Sequence, residues 1–167
     1  QKQLALAREI KDRRGEGGAL GNLGFAYRSL GNYATAIDYG QQQLALAREI
    51  KDRRGEGNAL GSLGLVYHSL GNYAKAIEYS QQTLAITREL KHRLGEGWAP
   101  NNLGFAFLKA GNPTEAEKML INGIQVWESM RQLLGSNDAD QVSFFEGQAA
   151  TYRTLQQVRV AQNNPIA

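Results

Sequence analysis

Two histidines, His68 and His92, are the side chains best suited to acid–base chemistry or metal binding in this sequence of 167 residues. Neither belongs to a helical histidine pair or to a zinc motif that contains glutamate. The sequence has no cysteine, which excludes disulfide scaffolds and thiolate metal sites. Residues 137–140 read Asn-Asp-Ala-Asp, but they lack the glycine and the later glutamate of a calcium loop. We therefore predict a helix cap there. We also predict that the protein is not an enzyme and binds no cofactor or metal ion.

A second group of residues with possible chemistry is basic and recurs along the chain. Its members are Lys11-Asp12-Arg13-Arg14, Lys51-Asp52-Arg53-Arg54 and Lys91-His92-Arg93. Aligned along one edge, they could contact phosphates or an acidic partner. However, a glutamate lies four residues before each of Arg13, Arg53 and Arg93, a spacing that predicts local ion pairs for Glu9, Glu49 and Glu89. The formal charge of +3 is also low for a nucleic-acid binder, so we expect no nucleic-acid partner.

The composition bounds the class of protein. Apolar residues make up 42% of the chain and the net charge is small, which favours a globular protein over a disordered one. No apolar run approaches the roughly 20 residues that cross a bilayer, and residues 1–8 lack the apolar core of a signal peptide. We therefore expect a cytoplasmic protein with no membrane partner. The 19 glycines beside only 3 prolines are unusual and need an explanation.

A repeat of 40 residues explains most of the glycine. Residues 1–40 and 41–80 are identical at 31 of 40 positions, and residues 41–80 and 81–120 at 17 of 40. Four glycine positions, 15, 17, 24 and 31, recur in all three units. Six tyrosines also occupy repeated positions, where we expect them to pack in the core. A fixed period of this length is the signature of stacked supersecondary units.

Each unit has the pattern of two helices joined by a tight turn. Apolar residues spaced by three and four positions share one helical face at Leu20, Leu23, Tyr27 and Leu30. Gly31 can then end the first helix in the left-handed conformation, and Asn32 can cap the second. Asp12 and Asp52 favour a new helix start at each repeat boundary. The sequence predicts an all-α solenoid, with hairpins over residues 13–50, 53–90 and 93–134, a preceding helix in 1–12 and a long helix in 137–162.

The repeated residues resemble the tetratricopeptide family in its variety with 40-residue repeats. The matching motifs are Leu23-Gly24-x-x-Tyr27 with Ala36 and Leu44, Leu63-Gly64-x-x-Tyr67 with Ala76 and Leu84, and Leu103-Gly104-x-x-Phe107 with Ala116 and Ile124. The sequence departs from the family at the position of an earlier aromatic residue, which is Leu20, Leu60 and Pro100 here, and it lacks the closing proline. The resemblance implies helical hairpins that form a right-handed superhelix.

The resemblance also implies a concave groove, lined by the first helix of each unit, that binds a peptide or a partner helix. The positions that carry over are Asn22, Phe25, Arg28, Asn58, Ser62, Leu65, His68, Trp98, Asn101, Asn102, Phe105 and Lys109, with Gly18, Gly21 and Gly61 on the same face. Phe25, Leu65 and Phe105 would form an apolar stripe, and the asparagines would pair with a peptide backbone. The alternative is that Phe25 and its equivalents belong to the core. Trp98 is predicted to anchor the partner.

The C-terminal stretch resembles the segment that joins such repeats to the caspase-like CHAT module of bacterial, notably cyanobacterial, proteins. The residues that carry this resemblance are Phe144-Phe145-Glu146, Tyr152-Arg153 and Leu155-Gln156-Gln157. It implies an interior piece of a larger protein, in which the repeats recognise a protein or peptide. Uncapped solenoid ends predict end-to-end self-association. The alternatives are a structural spacer that self-associates and a nucleic-acid binder that uses the basic edge.

Overall fold

A computed structural model describes residues 2–131 and 138–163, and the described residues form eight helices and no β-strand. The helices are α1 (Lys2–Glu9), α2 (Arg13–Ser29), α3 (Tyr33–Glu49), α4 (Arg53–Ser69), α5 (Tyr73–Glu89), α6 (Arg93–Lys109), α7 (Pro113–Arg131) and α8 (Asp138–Asn163). The chain divides into two compact units, Gln1–Ile86 and Thr87–Ala167. The helix cap predicted at residues 137–140 falls on residues or side chains outside the described part.

Glycine and asparagine form the turn inside each hairpin, as the sequence predicts. Gly31 has a φ of 75°, which a glycine adopts without steric cost. The next residue, Asn32, caps α3 by accepting a hydrogen bond from the backbone N–H of Thr35 at 3.2 Å. The same pair recurs as Gly71-Asn72 and Gly111-Asn112. The same Gly-Asn turn therefore caps the start of the second helix in all three hairpins.

The turns between hairpins use a lysine where a glycine is more usual. Asp52 caps α4 by accepting from the N–H of Gly55 at 2.9 Å, and Asp12 does the same for α2. The residue before each cap is in the left-handed region at Lys11, Lys51 and Lys91, with φ of 57°, 58° and 52°. A side chain in that region carries steric strain. Sequence analysis did not predict this role for the lysines.

The first unit has apolar clusters between consecutive helices. One cluster contains Leu4, Ala19, Leu20 and Leu46, and another contains Leu44, Ala59, Leu60, Leu63 and Ile86. Tyrosine rings stack beside them, with centroids 5.6 Å apart for Tyr27 and Tyr39 and 5.4 Å apart for Tyr67 and Tyr79. The tyrosines therefore contribute to packing, as predicted.

The second unit is built around Trp127 on α7, which is completely buried. The rings of Trp98 and Phe144 meet it edge-on, with centroids 6.0 and 5.7 Å away. Its indole N–H donates to the hydroxyl of Thr151 on α8 at 3.1 Å, which satisfies the one polar atom of the ring. Helix α8 packs against both α6 and α7 in this unit.

Candidate peptide-binding groove

A groove runs along the first unit between α2 and α4, with α3 as its floor. The residues that line it recur every three or four positions on each helix, so each helix contributes one face. They include Arg14, Gly17, Gly18, Gly21, Gly24, Phe25 and Arg28 on α2, Arg54, Gly55, Asn58, Ser62, Leu65 and Val66 on α4, and Ala36, Gly40, Gln43, Leu46 and Ala47 on α3. The groove consists of two cavities that share Gln43 as a lining residue.

One end of the groove is apolar. Phe25 is 62% exposed and Leu65 is 38% exposed, and together with Ser62 they line a cavity of about 90 Å³. The guanidinium carbon of Arg28 lies 5.4 Å from the centroid of the Phe25 ring, a cation–π contact. The alternative that placed Phe25 in the core is therefore wrong. His68 is half-buried and packs beside Tyr73, with ring centroids 5.6 Å apart.

The other end is wider and basic. A cavity of about 420 Å³ lies between the first turns of α2 and α4, and Arg13, Arg14 and Arg54 are among the side chains that line it. Within the described residues, neither Arg14 nor Arg54 takes part in an ion pair. Asp52 also lines this cavity, but its carboxylate is engaged as the cap of α4. Gly18 on the wall has no heavy atom within 4 Å of the position of a Cβ, so the backbone is open there.

Gln43, in the middle of the floor, is a site residue that sequence analysis did not identify. It lines both cavities and is 8% exposed. A Cβ on Gly21 would lie 2.8 Å from its Nε2, so the glycine leaves the space that the amide fills. Its Oε1 is buried without a hydrogen-bond partner among the described residues. The one signal in the sequence was the unexplained glycine at position 21.

The residues predicted for the third repeat have a different environment. Trp98 packs against Trp127 inside the second unit. Asn101 is 8% exposed and accepts a hydrogen bond from the hydroxyl of Thr154 on α8 at 3.2 Å. Both side chains therefore contact other residues of the second unit. The sequence analysis predicted instead that Trp98 anchors a bound partner and that Asn101 pairs with the backbone of a peptide. Asn102 and Phe105 are half-buried, and Lys109 is exposed, with its ammonium nitrogen 5.4 Å from the Phe105 ring.

The predicted groove residues on α2 and α4 are more open. The exposed side chains are Asn22, Phe25, Asn58 and Leu65, and the half-buried ones are Arg28, Ser62 and His68. Asn58, Ser62 and Leu65 line the groove together with Phe25 and Arg28. The structure therefore brings most of the predicted positions of the first two repeats to one surface.

One arginine at each repeat boundary, namely Arg13, Arg53 and Arg93, lies in an ion pair. Arg13 contacts Glu16, which lies close by in the sequence, at 2.9 Å, and Glu49 at 2.5 Å. Among the described residues it makes no ion pair with Glu9, which the sequence also offers as a partner. Glu49 is the last residue of α3, so its pair with Arg13 joins the two helices of one hairpin. The ion pair with Glu49 raises the pKa of the Arg13 guanidinium above its ordinary value. The hydrogen bond from Arg8, aided by the charge of Arg13, holds the pKa of Glu16 below its ordinary value.

In the described part of the chain, no group of three or more metal-binding side chains is close enough together to hold an ion. None of the described helices combines the length and the hydropathy of a membrane span.

Comparison with known proteins finds a family that the repeats resemble. A family model described as Tetratricopeptide repeat matches residues 15–89, which include most of the groove. The matched residues are similar to tetratricopeptide repeats. A search of curated protein sequences finds no match.

Solved structures extend the similarity to the fold of the chain. The tetratricopeptide domain of FLU from Arabidopsis is 23% identical with a TM-score of 0.66, over 70% of this chain and 98% of that domain. BtubC from P. vanneervenii is 19% identical with a TM-score of 0.70, over 98% of this chain and 73% of that one. The corresponding domain of Sgt2 from Aspergillus fumigatus is 19% identical with a TM-score of 0.58, covering 91% and 87%. The fold is an all-α tetratricopeptide-type helical repeat, which confirms the predicted fold class.

Proposed function

We propose that this chain is a protein-interaction module that binds a peptide or a partner helix in the groove of its first unit. The observation that carries the proposal is the exposure of Phe25 and Leu65 side by side on facing walls. An exposed phenylalanine costs solubility, whereas burial against a partner releases water from its apolar surface. The glycines on the α2 wall leave room for a chain to lie close to the helix.

The other positions of the predicted groove take supporting roles in this proposal. Asn22 and Asn58 are exposed amides that can pair with a peptide backbone, because an amide both donates and accepts. Arg28 can remain stacked on Phe25 while its guanidinium meets a partner acid. In the third repeat, Asn102, Phe105 and Lys109 are the predicted positions left for a partner.

The proposal is tested by selecting peptides from a random phage-displayed library on the purified chain. Each selected peptide is then measured by fluorescence anisotropy against the wild type and the double variant Phe25→Asp/Leu65→Asp. We expect the double variant to lose binding at least tenfold, since two charges would face the apolar end of the groove. The control is Leu30→Asp, which changes an exposed leucine at the C-cap of α2 that does not line the groove. Equal binding by the wild type and the groove variant contradicts the proposal.

Two alternatives are less well supported. Nucleic-acid binding along the basic edge needs free cations, but Arg13, Arg53 and Arg93 all lie in ion pairs with glutamates. Nucleic-acid binding predicts a gel shift that weakens as the salt concentration rises. If no shift occurs across a titration of the protein at low salt, this alternative is wrong. A self-associating spacer is favoured by the exposed Leu6 on α1 and the exposed Ile10 that follows this helix. A monomer mass that stays constant with concentration in light scattering removes that alternative.

We further propose that the module is the recognition part of a larger, cytoplasmic bacterial protein of the CHAT type. The support is the sequence resemblance of the α8 region. The full-length gene product tests it: a caspase-like module after these repeats would make the groove a sensor that controls a protease, and another kind of module would contradict the idea.

A further inference from the structure

The second unit has a groove of its own, between α7 and α8, which encloses a cavity of about 410 Å³. The residues that line it have the same spacing on both helices, at i, i+3, i+4 and i+7. They run from Ile121 to Glu128 on α7 and from Tyr152 to Arg159 on α8. Residues with this spacing share one face of a helix. Each wall of this α7/α8 groove is therefore a helix face of two turns, about 10 Å long.

In the first unit, the groove between α3 and α4 holds a helix. Ile86 of α5 belongs to one buried cluster with Leu44 of α3 and Leu60 of α4. The rings of Tyr79 on α5 and Tyr67 on α4 stack beside this cluster, with centroids 5.4 Å apart. The surface between the second helix of one hairpin and the first helix of the next is therefore a helix-binding site in this chain.

Two contacts show that the α7/α8 groove is the counterpart of that site. They are the contact of Gly147 with Trp127, which matches that of Gly55 with Ala47, and the packing of Leu155 with Ile124, which matches that of Leu63 with Leu44. In both, the residue on α7 lies 80 positions after its counterpart on α3, and the residue on α8 lies 92 positions after its counterpart on α4. The geometry of the first unit therefore indicates that the α7/α8 groove accepts a helix.

The side chains at the counterpart positions differ in size and polarity. The face of α4 under α5 carries three buried residues, Leu60, Gly64 and Tyr67, whereas the same face of α8 carries three exposed ones, Tyr152, Gln156 and Arg159. A Cβ on Gly64 would lie only 3.1 Å from Oγ of Ser80 on α5. A whole glutamine side chain at that position would collide with a helix packed as closely as α5. A helix in the α7/α8 groove must therefore lie farther from α8 than α5 does from α4, and it must offer polar groups.

The charges of the groove indicate what kind of helix would fit. Glu128 is exposed at one end and forms no ion pair with any described residue. Arg159 at the other end is compensated by Glu117, whose Oε1 lies 3.3 Å from its Nε. Between these ends lie apolar side chains, among them Ile121 and Leu155. The complement of this surface is a helix with an apolar stripe and a basic residue at one end of the stripe.

We propose that the α7/α8 groove binds a basic amphipathic helix of a partner protein. Its apolar side chains cover Ile121 and Leu155, and its lysine or arginine pairs with Glu128. Ile121 and Glu128 are seven positions apart on α7, so a helix that lies along α7 has its apolar and basic residues seven positions apart as well. This surface belongs to the second unit and does not depend on the function proposed for the groove of the first.

The first test uses helical peptides rich in alanine and glutamine, each with a fluorescein label, two leucines one turn apart and one charged residue. A lysine lies seven positions from the first leucine, on the same face, or nine positions from it, on the opposite face. A third peptide has glutamate at the seventh position, and all are made in both chain directions. By fluorescence anisotropy at low salt, we expect the first peptide to bind about fivefold more tightly than the other two in one direction.

The charge of Glu128 should decide this preference. Glu128→Lys changes an exposed side chain, so the fold is kept, and the variant should prefer the glutamate peptide over the lysine peptide. Equal binding of the lysine and glutamate peptides by the wild type overturns the inference, as does an unchanged preference in Glu128→Lys.

The second test places a charge on the apolar wall. Ile121→Asp should weaken binding of the first peptide by about tenfold, because the aspartate would be buried under the leucines. Val160→Asp is the matched control, since Val160 is an exposed aliphatic residue of α8 that does not line the groove. Far-ultraviolet circular dichroism compares the folding of the two variants. Equal losses of binding in both variants, or no loss in Ile121→Asp, overturn the inference.

Other occupants of the groove give different results. If the mass of the chain in light scattering rises with concentration and Ile121→Asp abolishes the rise, the groove holds a second copy. If the full-length gene product does not bind the lysine peptide whereas this chain does, a segment of the same polypeptide fills the groove. Either result overturns the proposal of a partner protein.

The failure of this inference differs from the failure of the proposed function. Phe25→Asp/Leu65→Asp should bind the lysine peptide as the wild type does, because both substitutions lie in the first unit. If that variant loses the lysine peptide, the peptide binds in the first unit and the inference is wrong, whereas the proposed function stands.

Discussion

Arg48 at the end of α3 donates from its Nε to Oε1 of Glu56 in the first turn of α4, across 2.8 Å. The bond joins the second helix of one repeat to the first helix of the next. Arg53 also donates to Glu56, at 2.5 Å. The hydrogen bond from Arg48, followed by that from Arg53, holds the pKa of the Glu56 carboxyl below its ordinary value, although burial opposes this. The same arrangement surrounds Glu16.

Glu56→Gln should lower the free energy of unfolding by about 1–2 kcal/mol, because both guanidinium contacts lose their charge partner while the arginines stay hydrated. Urea unfolding followed by far-ultraviolet circular dichroism measures the change. Glu9→Gln is the control, since Glu9 is exposed and Arg13 contacts Glu16 and Glu49 instead. An equal loss in the two variants would show that the link between repeats contributes nothing specific.

The lowered pKa of Glu16 and Glu56 predicts the direction of the acid response. A carboxyl with a lower pKa in the folded state stabilises the protein above the unfolded pKa of about 4.3, and this contribution disappears as the pH falls through the folded pKa. Stability should therefore fall below about pH 4. The Glu16→Gln/Glu56→Gln variant should show a shallower dependence between pH 5 and 3. If the free energy of unfolding depends on pH equally in the wild type and the variant, Glu16 and Glu56 are not the source of the acid response.

The third hairpin lacks a cap that the other two have. His92 stands at the position of Asp12 and Asp52, and its side chain accepts no hydrogen bond from the first turn of α6. His92→Asp should therefore raise the free energy of unfolding by about 0.5–1 kcal/mol. Chemical denaturation followed by tryptophan fluorescence measures this, since Trp98 and Trp127 both report on the second unit. His92→Asn, a neutral cap, separates capping from charge, and no gain in either variant would refute the prediction.

Much of the fold could be predicted from the sequence because it depends on local rules repeated three times. The period of 40 residues, the Gly31-Asn32 turn and the Asp52 cap each follow from backbone preferences that do not need tertiary structure. The left-handed backbone conformation of Lys51 and its equivalents was not predicted, because no local rule favours a lysine in that conformation.

The groove could be predicted only in part. The position of Phe25 in the repeat predicted a groove residue but left a core position open as the alternative. The contact of Asn101 with Thr154 depends on α8, and that of Trp98 with Trp127 depends on α7, and neither partner residue is part of the repeated motif. Gln43 was missed because it belongs to the floor helix, and its unpaired oxygen is a property of three-dimensional packing.

Lys51→Gly should stabilise the protein by about 0.5–1 kcal/mol, because glycine removes the steric cost of a φ near 58°. The flexibility of glycine in the unfolded chain offsets part of the gain. Lys51→Ala is the control, since it removes the same charge but keeps a Cβ. Thermal unfolding should rank glycine above both lysine and alanine, and a higher melting temperature for alanine than for glycine would contradict the strain argument.

Two glycine-to-alanine changes should have opposite effects, although both fall inside helices. A Cβ on Gly147 would lie 2.4 Å from a ring carbon of Trp127, which is fully buried and has no room to move. Gly147→Ala should therefore cost about 1–3 kcal/mol through overpacking. Gly18→Ala meets nothing within 4 Å and should gain about 0.5–1 kcal/mol from helix propensity. Because Gly18 also lines the basic cavity, a gain in stability together with weaker peptide binding would tie its small size to the groove rather than to the fold.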